Sequence, residues 1–156
     1  MRRTVARLIF ASAMTAIVIF GADNSLGTWK RNVEKTKTTP PPANPITSLT
    51  IVREAADGGV KSTSTGQYKD GTAVNSTYTA KYDGKEYPVV GAPWDTISIK
   101  QINANTFSAE TKKTGGSYRS TGRMVVSKDG KTMTLTNKGT NAEGKSFTNK
   151  IVYEKQ

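Results

Sequence analysis

Residues 118–136 read YRSTGRMVVSKDGKTMTLT, and this stretch decides the fold. Apolar side chains take every second position on both sides of Asp129-Gly130: Met124 and Val126 before it, Met133 and Leu135 after it. A period of two is typical of a strand with one dry face and one wet face. Asp-Gly between two such runs predicts a hairpin with a type I′ turn, in which both central residues have positive φ. The stretch therefore predicts two antiparallel strands and the turn that joins them.

The rest of the chain repeats this unit. Turn sequences recur every 10 to 15 residues or so, with no helical pattern between them. They are Asp57-Gly58-Gly59, Asp70-Gly71, Asp83-Gly84, Asn103-Ala104-Asn105, Gly115-Gly116 and Asn141-Ala142-Glu143-Gly144. Such short connections predict an all-β, up-and-down antiparallel meander of 8–10 strands. An open sheet of that width would leave two bare edges and one uncovered apolar face, and no helix is predicted to cover that face, so we expect closure into a single barrel.

The first residues have the pattern of a leader. Arg2, Arg3 and Arg7 precede a short apolar run, which is typical of a secretory signal peptide and short for a membrane span. We expect a signal peptide over residues 1–21, cut near Gly21 or Ala22, and one barrel domain over 22–156. An uncleaved N-terminal anchor is the alternative. The chain has no cysteine, and together with the leader this predicts a bacterial protein that is secreted or periplasmic.

A proline-rich segment, residues 39–45, separates the first predicted strand from the second. Three consecutive prolines exclude helix and central strand. The segment is expected to cross outside the sheet in an ordered conformation, and a disordered linker is the alternative.

The chain is basic. Removing Arg2, Arg3 and Arg7 takes the net charge from +11 to +8. The lysines are scattered over many strands and turns, which favours a solvated outer face that discourages aggregation over a nucleic-acid site. We expect a monomer with no nucleic-acid partner and no stable membrane span after signal cleavage.

The inner face of the predicted barrel supplies the candidate ligand site. Apolar and tyrosine side chains share that face with several hydroxyls, so the barrel is either flattened and dry or holds a partly polar cavity. The tyrosines alternatively only extend their hydroxyls to the rim. The predicted ligand-binding residues are Tyr78, Tyr82, Ile99, Phe107, Tyr118, Met133 and Tyr153.

Catalysis is not indicated. With no histidine and no cysteine, the chain lacks the usual nucleophile–base pairs and the commonest metal ligands. Most acidic residues stand in predicted turns, where turn chemistry explains them. We expect no enzyme, no catalytic residue, no metal and no cofactor; a carboxylate-pair hydrolase is the alternative, without a supporting motif.

Several short motifs carry a family resemblance. Gly27-Thr28-Trp29-Lys30 stands near the expected mature N-terminus, with Lys81-Tyr82-Asp83-Gly84-Lys85, Val126–Lys131 and Lys138-Gly139-Thr140-Asn141 further on. With the meander, these resemble the calycin superfamily of lipocalins and fatty-acid-binding proteins, and above all its short bacterial lipocalin-like members. The resemblance implies a single calycin-like barrel, here without a helical lid, around a pocket for small hydrophobic molecules. It also implies that Trp29 plugs the closed end, with Arg123 or Lys150 packed over it.

Two functions follow as hypotheses. The first is a non-catalytic extracytoplasmic binding protein with a barrel pocket for a small hydrophobic or amphipathic molecule. The alternative is a protein-interaction module of the cell envelope, such as a protease-inhibitor-like barrel. That module would use the Pro40–Pro45 run and an exposed Pro93-Trp94 loop.

Overall fold

The structure is a computed structural model that describes residues 22–156. The predicted signal peptide, residues 1–21, lies outside the described residues. The described part contains ten β-strands and no helix. The strands are β1 (Gly27–Thr39), β2 (Ile46–Ala56), β3 (Gly59–Tyr68), β4 (Ala73–Lys81), β5 (Asp83–Val90), β6 (Thr96–Asn103), β7 (Thr106–Lys112), β8 (Arg119–Val126), β9 (Thr132–Thr140) and β10 (Ser146–Lys155).

The strands form a closed barrel. Each pairs in antiparallel register with the next strand of the chain, and β1 completes the circle by pairing with β10. The hairpin of β8 and β9 has the register that its apolar alternation requires, with Met124 opposite Leu135 and Val126 opposite Met133. The predicted all-β meander, closed into one barrel without a helical lid, is confirmed.

The turn of that hairpin differs from the prediction. Among residues 22–156, only glycines have positive φ, and Gly130 has φ 70° while Asp129 does not. The Gly130 N–H donates to the Ser127 carbonyl at 2.9 Å, and the Asp129 carboxylate accepts from the Lys131 N–H at 3.1 Å. The type I′ turn was therefore wrong. In the longer loop of residues 127–131, one left-handed glycine reverses the chain, and the aspartate caps a backbone amide.

The barrel has two distinct ends. The capped end carries the turns at 57–58, 104–105 and 127–131. Residues 23–26 lie at this end, where the Asn24 N–H donates to the Ala104 carbonyl at 3.0 Å. The open end carries the connections 69–72, 91–95, 113–118 and 141–145. The proline-rich connection lies at the open end, where the Lys69 N–H donates to the Pro45 carbonyl at 2.9 Å.

Two groups of buried side chains pack inside the barrel. One lies along β3 to β7 and contains Val60, Ala80, Val89, Ile97, Ile99 and Phe107. The other joins β1, β2 and β8 to β10 and contains Trp29, Leu49, Val126, Met133 and Tyr153. Every member of both groups alternates along its strand with outward-facing residues. Burial of this inner face is the main stabilising term of the fold.

A substitution at Gly139 tests how closely β8 and β9 approach each other. A Cβ added there would lie 2.0 Å from the Arg119 carbonyl oxygen. Gly139→Ala is therefore expected to lower the free energy of unfolding by about 1 to 3 kcal/mol, measured by urea denaturation. The control is Gly130→Asn, because Gly130 has open space around its Cα and asparagine tolerates the left-handed region. Equal losses in the two variants would contradict the close approach.

Candidate functional site: the barrel lumen

All seven residues predicted for the ligand site lie on strands or turns that face the lumen. Ile99, Phe107, Met133 and Tyr153 are buried in the packed groups, while Tyr78, Tyr82 and Tyr118 are half-buried. The structure brings Tyr82 against Phe107, with ring centroids 5.2 Å apart. Tyr118 lies apart from these, toward the open end. Their part in binding stays a prediction.

A polar network fills the capped end. Arg53 is 5% exposed; its Nε donates to Ser25 Oγ at 3.1 Å, and its Nη1 donates to the Tyr78 hydroxyl at 3.2 Å. The Ser25 hydroxyl donates to Asp23 Oδ1 at 2.5 Å, and the Tyr82 hydroxyl donates to the other carboxylate oxygen of Asp23. The segment before β1 thus supplies a carboxylate that reaches the arginine only through a serine.

Trp29 lies at the same end. Its side chain is fully buried, and its Nε1 donates to the Ser25 carbonyl at 2.8 Å. The cation over its ring is Lys155, whose Nζ lies 5.0 Å from the ring centroid. The expectation of Arg123 or Lys150 was wrong, because both stand at exposed positions that alternate with inward-facing Met124 and Ile151. Lys155 instead pairs across the β1–β10 junction with Trp29 itself.

Two arginines of the lumen were missed in the sequence. Arg31 follows Trp29 by two positions on β1, and Arg53 follows Leu49 and Ile51 at the same spacing on β2. The period of two that placed their apolar neighbours inside therefore placed the arginines inside as well. Neither arginine was among the residues predicted for the inner face, although its position in the alternation indicated it.

The two arginines and the tyrosines around them change one another's pKa values. Burial raises the pKa of Tyr153 to about 12, against the opposing influence of Arg31 and Arg53. Burial also lowers the pKa of Arg31. For Arg53 burial acts in the same direction, but Tyr78, Tyr82 and Asp23 outweigh it, and the net pKa is raised. Both guanidinium groups therefore carry their charge inside the barrel.

The half of the lumen toward the open end is less filled. Leu135, Asn137, Asn149 and Ile151 are only half-buried, although their side chains point inward from β9 and β10. The neighbouring position on β8 is Gly122, opposite Asn137, and the two strands approach closely there, since a Cβ added at Gly122 would lie 2.5 Å from the Asn137 Cβ. The side chains in this half of the lumen are therefore less fully covered than those of the two packed groups.

Aromatic side chains stand at the mouth of this space. Trp94, in the connection between β5 and β6, stacks on Tyr118 with ring centroids 5.4 Å apart, and Tyr118 lies 6.0 Å from Phe147. Trp94 is half-buried, so the expectation of a loop that exposes it was wrong. Stacking on Tyr118 draws the indole over the barrel mouth.

Five buried polar atoms of the lumen have no hydrogen-bond partner among residues 22–156. They are Arg31 Nε, Arg53 Nη2, Trp94 Nε1, Asn137 Oδ1 and Asn149 Oδ1. Buried polar groups in folded proteins are almost always paired, so each unpaired one marks a place for water or a ligand. We call these five residues the lumen site.

Across residues 22–156, no three acidic side chains gather as a metal site would require. The same residues include no helix that is long and apolar enough to cross a membrane.

Comparison with known proteins gives a likeness among solved structures. No protein-family model matches the chain, and no curated protein matches it. Among solved structures, the chain is similar to a redesigned β-barrel, mFAP1, bound to DFHBI. The sequence identity is 12%, the TM-score is 0.44, and the match covers 85% of this chain and 95% of that one.

The buried hydroxyl of Tyr153 predicts a loss of stability in alkali. Its pKa rises from 10.0 to about 12 on folding, so the unfolded chain gives up this proton first as the pH increases. The contribution is complete below pH 10 and disappears between pH 10 and about 12, a total change of about 3 kcal/mol. Urea denaturation at pH 9 and pH 11.5 would measure it. Tyr153→Phe should show a smaller decrease, and an equal decrease would contradict the assignment.

Proposed function

We propose that this chain is a non-catalytic binding protein whose lumen holds a small amphipathic molecule with an anionic head group. The observation that carries the proposal is Arg53: a guanidinium that is almost fully buried, with one nitrogen, Nη2, left without a partner. Arg31 adds a second guanidinium that points inward. Both arginines act to lower the pKa of Tyr153, against the larger effect of burial.

The positive charge of the lumen exceeds its negative charge. Asp23 is the carboxylate of the capped-end network, and no ion pair joins it to either arginine among the described residues. A buried charge without a direct counter-ion costs several kcal/mol. An incoming carboxylate would offset this cost, since guanidinium and carboxylate groups match in charge and in planar geometry.

The rest of the lumen suits the body of such a molecule. Leu135 and Ile151 offer half-exposed apolar surface on the wall of β9 and β10. Asn137 and Asn149 add polar atoms beside that surface, and the Trp94 N–H adds a donor at the mouth. An elongated ligand with its acid toward the capped end and its apolar body toward the open end would contact all of these groups.

The proposal also covers where the protein acts and which protein family it is related to. We place the protein outside the cytoplasm, as a secreted or periplasmic monomer, on the basic and apolar pattern of residues 1–21. We also propose a relationship to the lipocalin-like calycins. It is supported by the Gly27-x-Trp29 sequence at the start of a closed meander and by a cation, Lys155, over that tryptophan.

Replacing the buried guanidinium of Arg53 tests ligand affinity and the free energy of unfolding as separate quantities. Arg53→Met removes the charge but retains the volume, so a fluorescent fatty acid should bind at least about tenfold more weakly. Unfolding in urea should change little, because removing the buried charge relieves its desolvation cost and this offsets the lost hydrogen bonds to Ser25 and Tyr78. Fluorescence titration and urea denaturation measure the two quantities.

Two controls sharpen this test. Arg119→Met changes the same residue type at an exposed position of β8 and should bind like the parent. The uncharged methyl ester of the probe should bind the parent more weakly than the acid does, and should distinguish little between the parent and Arg53→Met. Equal affinity of acid and ester for the parent would exclude an anionic head group, and no saturable binding of either would exclude the lumen as a binding site.

Trp94 reports on the position of the ligand. Trp29 is fully buried at the capped end, whereas Trp94 stands at the mouth. In Trp29→Phe, which leaves Trp94 as the single tryptophan, a lumen ligand should change the emission of Trp94 and reduce its quenching by acrylamide. In Trp94→Phe, the remaining emission of Trp29 should change much less. Unaltered Trp94 emission at saturating ligand would place the ligand outside the lumen.

The alternative is a protein-interaction module of the cell envelope. It is favoured by the proline-rich connection, whose residues 40–44 are all exposed and which is held in place through Pro45 and Asn44. Replacing Pro40, Pro41 and Pro42 by alanine should abolish capture of a specific envelope protein while fatty-acid binding persists. The reverse outcome would favour the lumen as the functional site.

A further inference from the structure

The outer face of the barrel carries a row of basic side chains that strand register assembles. Lys100 on β6 pairs with Ser108, Ser108 with Arg123, and Arg123 with Thr136. The row continues from Thr136 to Lys150 on β10 and from Lys150 to Lys37 on β1. We call these six positions the basic row: Lys37, Lys100, Ser108, Arg123, Thr136 and Lys150.

The charges of the basic row are free. Its four cationic side chains are all exposed, and within residues 22–156 none of them forms an ion pair. The lysines on the opposite side behave differently, since Lys61 pairs with Glu54 and Lys81 pairs with Asp57. The excess positive charge of the protein is therefore concentrated on one side of the barrel.

Hydroxyl groups accompany these charges. A shallow depression of about 850 Å³ runs along the outside of β7 to β10, and Ser108, Arg123 and Thr136 of the basic row line it. Thr121, Thr134 and Thr148 line it as well, with Lys138 beside them. The surface thus combines exposed cations with hydroxyls, and Val125 is the one apolar side chain in its lining.

We propose that the basic row binds an acidic polysaccharide wrapped around the outside of the barrel. Strands of a sheet lie about 4.8 Å apart, so Lys100, Arg123 and Lys150 follow one another at about 10 Å intervals. A linear chain of sugars that carries a carboxylate at intervals of a few sugar units would place anions along such a row. Its hydroxyls would meet the serine and threonine hydroxyls between the cations.

The shape of the surface decides among anionic partners. The basic row crosses six neighbouring strands of a ten-stranded barrel, so it follows about half of the circumference. A flat membrane touches only a small part of such an arc, and a DNA duplex is too stiff to follow it. Single-stranded nucleic acid is flexible enough but is usually held by stacking on aromatic side chains, and the basic row contains none.

Two double variants with the same change in net charge test the proposal. Arg123→Gln with Lys150→Gln removes two cations of the basic row, and Lys61→Gln with Lys81→Gln removes two from the opposite side. Hyaluronan oligosaccharides, which carry one carboxylate per disaccharide, should bind the parent at low salt and be released as salt is added. The row variant should lose about tenfold in affinity and the opposite variant less than about twofold.

Further measurements exclude misfolding and other anionic ligands as explanations of the result. Circular dichroism checks that both variants fold, and Lys37→Gln with Lys100→Gln serves as a second row variant. Equal losses on the two sides, or no binding to the parent, would overturn the proposal. So would tighter binding of oligo-dT or of anionic lipid vesicles than of the polysaccharide. Fatty-acid binding in the lumen should be unchanged in the row variants, so this surface and the lumen site succeed or fail separately.

Discussion

Closure between the first and last strands is the constraint on which the rest of the structure depends. The chain has no helix among its described residues to cover an apolar sheet, so the sheet covers itself by joining β1 to β10. Closure gives every strand two neighbours and turns one face of the whole sheet inward. At ten strands, the circumference encloses more space than side chains fill easily. The fold that removes the edges therefore also creates the lumen.

The inner face serves as core and as candidate site at once. The side formed by β3 to β7 is packed with apolar residues around Phe107, while the wall of β9 and β10 keeps amides and half-exposed apolar side chains. At the capped end, the segment before β1 brings Asp23 and Ser25 beneath Arg53. This network holds the arginine in place but leaves one of its nitrogens unpaired. Burying the charge of Arg53 costs stability, and this cost is consistent with an arginine that is kept for ligand binding.

Particular residues show how far local patterns reach. The alternation of Met124, Val126, Met133 and Leu135 around Asp129-Gly130 was enough to predict the β8–β9 hairpin and its inward face. The same alternation places Arg53 inside, yet Arg53 was not among the residues predicted for the inner face. Trp94 had no pattern to follow, because it lies in a connection and its position depends on Tyr118, 24 residues further along the chain. The turn at Asp129-Gly130 was located correctly, but its type depends on loop length, which the dipeptide alone does not specify.

The sequence by itself determined the strands, their antiparallel order and the residues of each face, because alternation and turn chemistry act over a few neighbouring residues. It also implied closure, since so many strands without a helix have no other cover. Only the tertiary structure decided which cation lies over Trp29, which polar atoms of the lumen lack partners, and which lysines and arginines form one row. These features join residues from strands far apart in the chain. They arise from the lateral register of the closed sheet. Every strand pairing around the barrel contributes to that register, so no single segment of the chain contains it.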